Sequence, residues 1–130
     1  MKKINMVDLN GQYRKIRWQI NREIKKVIKS SAFINGPIVK EFQNNLQEYL
    51  NVRHVIPCAN GTDALQIALM ALNLKRGDEI ITTNFSFAST IEVILLLGLK
   101  PVIVDIDPRT FNIDPSLIEN KITNRTKVII

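Results

Sequence analysis

The first part of the chain spaces its apolar residues as amphipathic helices do. Residues 4–10 are predicted to be extended, and a helix is predicted from about residue 11 to residue 30. A loop at residues 33–37 follows, and Pro37 suits the first turn of a second helix that reaches about residue 50. In the first helix the apolar residues recur at steps of three and four: Tyr13, Ile16, Ile20, Ile24, Val27 and Ile28.

After Asn51 short apolar runs alternate with helical patterns. The predicted strands cover residues 55–58, 79–83, 101–105 and 126–130. The predicted helices follow Gly61, end near Leu97 before Gly98, and occupy residues 115–121. The helix after Gly61 is apolar nearly all round, so we expect it to be buried.

This order predicts an α/β fold with a largely parallel sheet covered by helices on both faces and right-handed crossovers. Two domains are predicted: residues 1–52, with an extended segment and two amphipathic helices, and residues 53–130, the α/β part. The last strand has no following helix to cover it, which indicates that the sequence is a fragment of a longer one.

The turn at residues 59–62 is the candidate binding site. It joins a predicted strand to a helix, and the first N–H groups of a helix attract anions because they have no partner within it. Gly61 allows close approach and Thr62 adds a hydroxyl donor, so the turn could hold a phosphate. Alternatively, Asn60 or Thr62 simply caps the helix. Ligands of parallel sheets bind beyond the carboxyl ends of the strands, where residues 85–89 should also lie, and this favours the phosphate.

The numbers of cysteines and histidines limit the kinds of site that the chain can form. The single cysteine, Cys58, excludes an internal disulfide and a cysteine-rich zinc site, and we expect a buried, inert thiol in the first strand. The single histidine, His54, is a poor candidate for a metal ligand and is expected at a strand entry.

The net charge of +6 is concentrated at the N-terminus. Residues 1–30 contain nine Lys or Arg and two acids, hence +7, and the rest contains nine and ten, hence −1. A nucleic-acid-binding arm and a solvated helix face are both compatible with this, and the helical spacing favours the solvated face. We find no secretory signal and no span for a bilayer, so we expect a cytoplasmic protein with neither a nucleic-acid nor a membrane partner.

Several short motifs, in order from Asp8 to Ile130, are similar to one known family. They are Phe33-Ile34-Asn35-Gly36-Pro37, Cys58-Ala59-Asn60-Gly61-Thr62-Asp63-Ala64-Leu65, Gly77-Asp78-Glu79-Ile80-Ile81, Phe85-Ser86-Phe87-Ala88-Ser89-Thr90, Pro101-Val102-Ile103-Val104-Asp105-Ile106-Asp107-Pro108, Phe111-Asn112-Ile113-Asp114-Pro115 and Thr123-Asn124-Arg125-Thr126-Lys127. Together they resemble the DegT/DnrJ/EryC1/StrS family of nucleotide-sugar aminotransferases.

The resemblance implies a cofactor and a set of residues that bind it. The family is similar to fold-type I pyridoxal 5′-phosphate (PLP) enzymes, so an incomplete three-layer α/β large domain with a parallel or mixed sheet is expected. Gly61 and Thr62 match the turn that binds the cofactor phosphate, and Phe87 matches the aromatic residue that stacks on the pyridine ring. Phe85, two residues away, could serve equally, and Phe87 could also be a plain core aromatic residue.

The resemblance also implies an activity: transfer of an amino group, usually from glutamate, to a keto sugar on a nucleotide, within a homodimer. Residues 56–72 and 95–107 resemble members that act on 3-keto UDP-sugars of the uronate type, in polysaccharide precursor synthesis. A non-catalytic module that binds PLP, phosphate or a partner is the alternative. A dinucleotide-binding domain would need a G-x-G-x-x-G turn, which the single glycine of residues 58–63 does not provide.

No catalytic residue is identified. The family's cofactor-bonding lysine and the acid at the pyridine nitrogen lie further along a longer chain, and Asp105 and Asp107 match a different motif that we interpret as structural. We therefore expect the 130-residue chain to be inactive by itself. An unfinished sheet should also leave an apolar edge open and make the chain poorly soluble.

Overall fold

A computed structural model describes residues 6–130, which form two compact units. One unit extends up to Pro57, and the other is Cys58–Ile130. Residues 4 and 5 of the predicted extended segment lie outside the described residues. No helix in the described range is long and apolar enough to cross a membrane.

The first unit contains the two predicted helices. Helix α1 spans Leu9–Ser30, two residues earlier than predicted at its start, because the Asp8 carboxylate accepts a hydrogen bond from Gly11 N–H at 2.9 Å and caps it. Helix α2 spans Pro37–Leu50 and has Pro37 in its first turn, as predicted. Neither helix contains a buried residue in this structure.

The second unit is an α/β arrangement around a three-stranded sheet. Its helices are α3 (Gly61–Ala71) and α4 (Ser89–Leu96), and its strands are β1 (Glu79–Thr82), β2 (Lys100–Ile103) and β3 (Thr126–Ile129). The strand order is β2-β1-β3, and both pairings are parallel, as predicted. Two short 3-10 turns, Pro115–Leu117 and Glu119–Lys121, replace the single short helix predicted there.

The core of this unit lies between β1 and helices α3 and α4. β1 is buried along its whole length because it is the central strand. Its Ile80 packs in one cluster with Val93 and Ile94 of α4, and with Leu69 and Leu99. Helix α4 ends as predicted, since Gly98 adopts φ +70°, a conformation that glycine reaches without strain.

Four predictions for residues 54–72 are wrong. Residues 55–58 form no strand, because the described chain offers them no pairing partner. Cys58 is consequently exposed in a loop, and His54 precedes a loop and not a strand. Helix α3 buries only Leu69, and its outer face remains open with Met70 58% exposed. Burial depends on a covering layer, which the apolar pattern alone cannot guarantee.

An ionic cluster at the start of β1 joins all three strands. The buried Glu79 carboxylate accepts hydrogen bonds from Lys100 Nζ at 3.1 Å, Arg125 at 3.0 Å and Thr123 Oγ1 at 2.6 Å. The Thr123 hydroxyl and the Lys100 ammonium lower the pKa of Glu79 to about 2. The cluster therefore holds the segment before β3 and the start of β2 against β1.

Candidate functional site

Helix α3 begins with a cap that leaves two amides free. Asn60 is extended, and its side-chain oxygen accepts a hydrogen bond from Asp63 N–H at 2.9 Å. The Asn60 carbonyl accepts from Ala64 N–H at 3.1 Å. Within the described residues, no acceptor serves the N–H groups of Gly61 and Thr62. Asn60 therefore caps the helix, as one of the two interpretations predicted, and the Gly61 and Thr62 amides stay available.

The space over Gly61 is open. A Cβ atom built at this position would meet no other atom within 4 Å, and its φ lies outside the left-handed region. Packing within the chain and backbone conformation therefore give no reason for a glycine here. A ligand approaching the amides closely would give one, since a side chain would occupy the space it needs. The turn thus fits a phosphate group.

The topology brings the two candidate segments to one edge of the sheet. Residues 84–88 link the end of β1 to α4, so they lie at the carboxyl ends of the strands. Leu69, in the C-terminal half of α3, shares a core cluster with Leu99, which immediately precedes β2. Helix α3 therefore directs its N-terminus, with Gly61 and Thr62, toward the same carboxyl edge.

The two phenylalanines of this edge differ in their surroundings. The ring of Phe85 stacks on Phe111, with centroids 5.7 Å apart and planes inclined by 25°. Phe87 has no such partner in the described chain, and its side chain is 79% exposed. Its backbone is nevertheless anchored, because its carbonyl accepts from Thr90 N–H at 3.2 Å at the start of α4. Phe87 is therefore not a core aromatic of this unit, and its ring faces are available.

The carboxylates after β2 are used by the loop itself. Asp107 accepts from Arg109 N–H at 2.7 Å and pairs with the Arg109 guanidinium at 3.1 Å. These contacts, the Arg109 side chain first, lower the pKa of Asp107. Asp105 accepts from Ile106 N–H at 2.8 Å. Both are local structural contacts, in line with the interpretation from sequence.

In residues 6–130 no group of three or more His, Cys, Asp or Glu side chains is arranged to hold a metal ion. Sequence reasoning did not single out Phe111, which contacts Phe85 across two loops. Its position in the motif with Asn112 was visible, but only the fold brings the two rings together.

Comparison with known proteins gives a family. Residues 14–130 match the family described as the DegT/DnrJ/EryC1/StrS aminotransferase family. The chain is 48% identical over 98% of its length to a UDP-2-acetamido-2-deoxy-3-oxo-D-glucuronate aminotransferase from Pseudomonas aeruginosa. It is 46% identical over the same share to a pleiotropic regulatory protein from Geobacillus stearothermophilus.

Solved structures of similar proteins share the fold of this chain. The crystal structure of NtdA from Bacillus subtilis, which contains the bound cofactor PMP, superposes with a TM-score of 0.87 at 38% identity and covers 98% of this chain. The chain in turn covers 30% of that structure, and 35% and 34% of the two relatives. It thus spans about a third of the length of the proteins it matches. The predicted α/β fold of an incomplete large domain is confirmed.

Proposed function

Because this chain belongs to the DegT/DnrJ/EryC1/StrS aminotransferase family, we propose that it is the N-terminal part of a PLP-dependent sugar aminotransferase. The observation that carries the proposal is the start of α3, where two amides have no acceptor and the space over Gly61 is open. A dianionic phosphate satisfies both amides and gains from the helix dipole.

In this proposal three residues of the chain hold the cofactor. The Gly61 and Thr62 N–H groups and the Thr62 hydroxyl donate to its phosphate. The exposed ring of Phe87 lies against its flat pyridine ring, an offset contact worth about 0.5–1.5 kcal/mol beyond burial. When bound, PLP supplies the aldehyde that carries an amino group from donor to acceptor. The chain contributes binding and orientation, and the lysine and the acid that the chemistry requires belong to the remaining part of the protein.

The proposed substrate is a nucleotide-linked keto sugar, with glutamate as the amino donor. Support comes from the Pseudomonas aeruginosa relative, whose name specifies a 3-oxo UDP-sugar of the glucuronate type. We propose the same class here, within the synthesis of polysaccharide precursors in the cytoplasm. The non-catalytic alternative is not favoured, because the family and the first of these relatives are named as aminotransferases.

We also propose a homodimer. Each unit exposes large apolar side chains, such as Ile34 at 90% and Tyr49 at 85% in the first and Met70 at 58% in the second. Apolar surface of this extent is typical of faces covered by other protein. Light scattering on the full-length protein tests the proposal, and a monomer at micromolar concentration would contradict it.

The activity is tested on the full-length protein. It is expected to be purified with a PLP absorbance band that shifts on adding glutamate, and to aminate a 3-keto UDP-uronate. A well-folded protein without that chromophore would overturn the cofactor proposal. A chromophore that responds to glutamate, together with inertness toward 3-keto UDP-sugars but turnover of another nucleotide sugar, would overturn the substrate assignment alone.

A further inference from the structure

The stacked pair of Phe85 and Phe111 connects two loops at the edge of the sheet that contains the candidate site. Phe85 lies in the loop after β1, and Phe111 lies in the loop after β2, the neighbouring parallel strand. Their ring centroids are 5.7 Å apart. Between Phe85 and the start of α4 lies Phe87, the ring proposed to contact the cofactor.

Phe111 is held in an unfavourable backbone conformation. Its φ is +59°, a region that residues with a side chain seldom occupy because the Cβ atom is crowded there. Such a conformation persists only where its surroundings enforce it. Here Phe111 N–H donates to the Asp107 carbonyl at 2.8 Å, and Asp107 N–H donates to the Asn112 carbonyl at 2.9 Å. An antiparallel bridge between Ile106 and Ile113 closes the hairpin.

The hairpin of residues 106–113 therefore holds the Phe111 ring in place against Phe85. Phe85 N–H donates to Thr83 Oγ1 at 3.1 Å, which anchors the beginning of the loop after β1. Thr90 N–H anchors its end at the Phe87 carbonyl. Asn84 and Ser86 are both exposed, so the Phe111 ring is the one aromatic side chain of the described residues that stacks on this loop between its two anchors.

We propose that Phe111 is a positioning residue for the cofactor. Its ring buttresses Phe85, and this contact fixes the loop of residues 84–88 so that Phe87 is presented to the pyridine ring. The inference rests on the proposed function, because it assigns Phe87 to PLP. It gives the hairpin of residues 106–113 a role in cofactor binding that acts through Phe85 and needs no contact with the cofactor.

The test uses the full-length protein with Phe111→Leu, which removes the ring, and Phe111→Tyr, which keeps it. In the cofactor-free protein, Phe111→Leu is expected to accelerate amide exchange at residues 84–88 severalfold and to leave β3 unchanged. It is also expected to weaken PLP binding about three- to tenfold and to alter the visible circular dichroism of bound PLP. Phe111→Tyr should match the wild type in all three. Leu117→Ala, in the 3-10 turn that follows, is the control for general loosening of this region.

A double substitution separates action through Phe85 from other effects. In a Phe85→Leu background, Phe111→Leu is expected to have no additional effect on PLP affinity. Wild-type affinity and dichroism in Phe111→Leu would overturn the positioning role, and so would equal losses in Leu117→Ala. A wild-type protein that binds no PLP would refute the proposed function itself. If the wild type binds PLP and Phe111→Leu binds it equally well, only the positioning role is refuted.

Discussion

The guanidinium of Arg125 lies 3.0 Å from the carboxylate of Glu79, a residue 46 positions earlier in the chain. Arg125 precedes β3 and Glu79 begins β1, so the pair connects two strands that the sequence separates widely. The carboxylate is 3% exposed, whereas the side chains of Arg125 and Lys100 are more than half exposed at 62% and 57%. The acid is thus the shared centre of the cluster, and each cation reaches it from the surface.

Substitution of Glu79 by Gln should destabilise the full-length protein more than Lys100→Gln does. Glu79→Gln removes the negative charge that the two cations share and one of the two oxygens that accept in the cluster, whereas Lys100→Gln leaves the contacts of Arg125 and Thr123 in place. Thermal unfolding measures both variants at neutral pH. Equal melting temperatures for the two variants would show that the cluster does not depend on the acid.

The same cluster predicts a pH dependence. The pKa of Glu79 falls from 4.5 to about 2, so between these values the unfolded chain binds the proton that the folded chain does not. The stabilisation is therefore complete above about pH 4.5 and is lost as the pH falls toward 2. Unfolding of the wild type and of Glu79→Gln in denaturant, from pH 7 down to 2.5, should show a stability difference that shrinks below pH 4.5. A difference that stays constant would contradict the assignment.

Gly61→Ala should separate binding from stability. A methyl group at residue 61 meets no other atom of the chain, and alanine favours a helix over glycine by up to about 1 kcal/mol, so the cofactor-free protein should be as stable or more stable. It would crowd the phosphate, and PLP affinity should fall at least about tenfold.

Gly77→Ala provides the matched control for that substitution. Gly77 has φ +86°, so alanine there should cost about 1 kcal/mol of stability without changing PLP affinity. Titration with PLP and thermal unfolding of both variants make the comparison. Unchanged PLP affinity in Gly61→Ala would remove the α3 N-terminus from the cofactor site.

Phe87→Leu and Phe85→Leu should both weaken PLP binding, but only Phe85→Leu should clearly destabilise the cofactor-free protein. Phe87 is largely exposed, so its loss should change the stability of the cofactor-free protein by less than about 0.5 kcal/mol and lower PLP affinity about two- to tenfold. Phe85→Leu removes the stack on Phe111 and should destabilise the cofactor-free protein by about 0.5–1.5 kcal/mol. If Phe85→Leu abolished PLP binding while Phe87→Leu left it intact, the two residues would have to exchange roles.

The open face of α3 predicts different behaviour for the isolated chain and the full-length protein. Met70→Glu should reduce aggregation of the 130-residue chain, because it places a charge on exposed apolar surface. In the full-length protein the same change should lower the melting temperature, because we expect further parts of that protein to cover this face. Lys75→Gln, on an exposed polar turn, lowers the net charge by the same one unit and is the control for the change in charge. An unaffected melting temperature for Met70→Glu would mean that this face stays open.

Several parts of the fold follow from local sequence. The spacing of apolar residues located α1, α2, β1 and β3 to within a few residues, because the period of that spacing depends on the local backbone geometry of a helix or strand and not on what covers it. Pro37 and Gly98 marked a helix start and a helix end through their backbone preferences. The candidate turn at Gly61 was equally visible, since a small residue before an apolar helix is a local signal.

Local sequence patterns gave wrong predictions where a structure depends on contact with a second, distant part of the chain. Residues 55–58 have the composition of a strand, but strand formation requires a hydrogen-bonded neighbour that the described residues do not provide. Cys58 was expected to be buried on the same basis, and the error has the same cause.

The sequence by itself determined the α/β class, the parallel order of its strands and the position of a glycine turn before an apolar helix. Each of these depends on periodicity, caps and turn residues within about twenty positions. The tertiary structure alone decided that the Glu79 carboxylate accepts hydrogen bonds from two other segments of the chain. It also decided that the Phe85 ring stacks on Phe111, whereas the Phe87 ring has no aromatic partner in the described residues. Those outcomes depend on which loops emerge side by side from neighbouring strands, and contacts between residues distant in sequence leave no periodic signal along the chain.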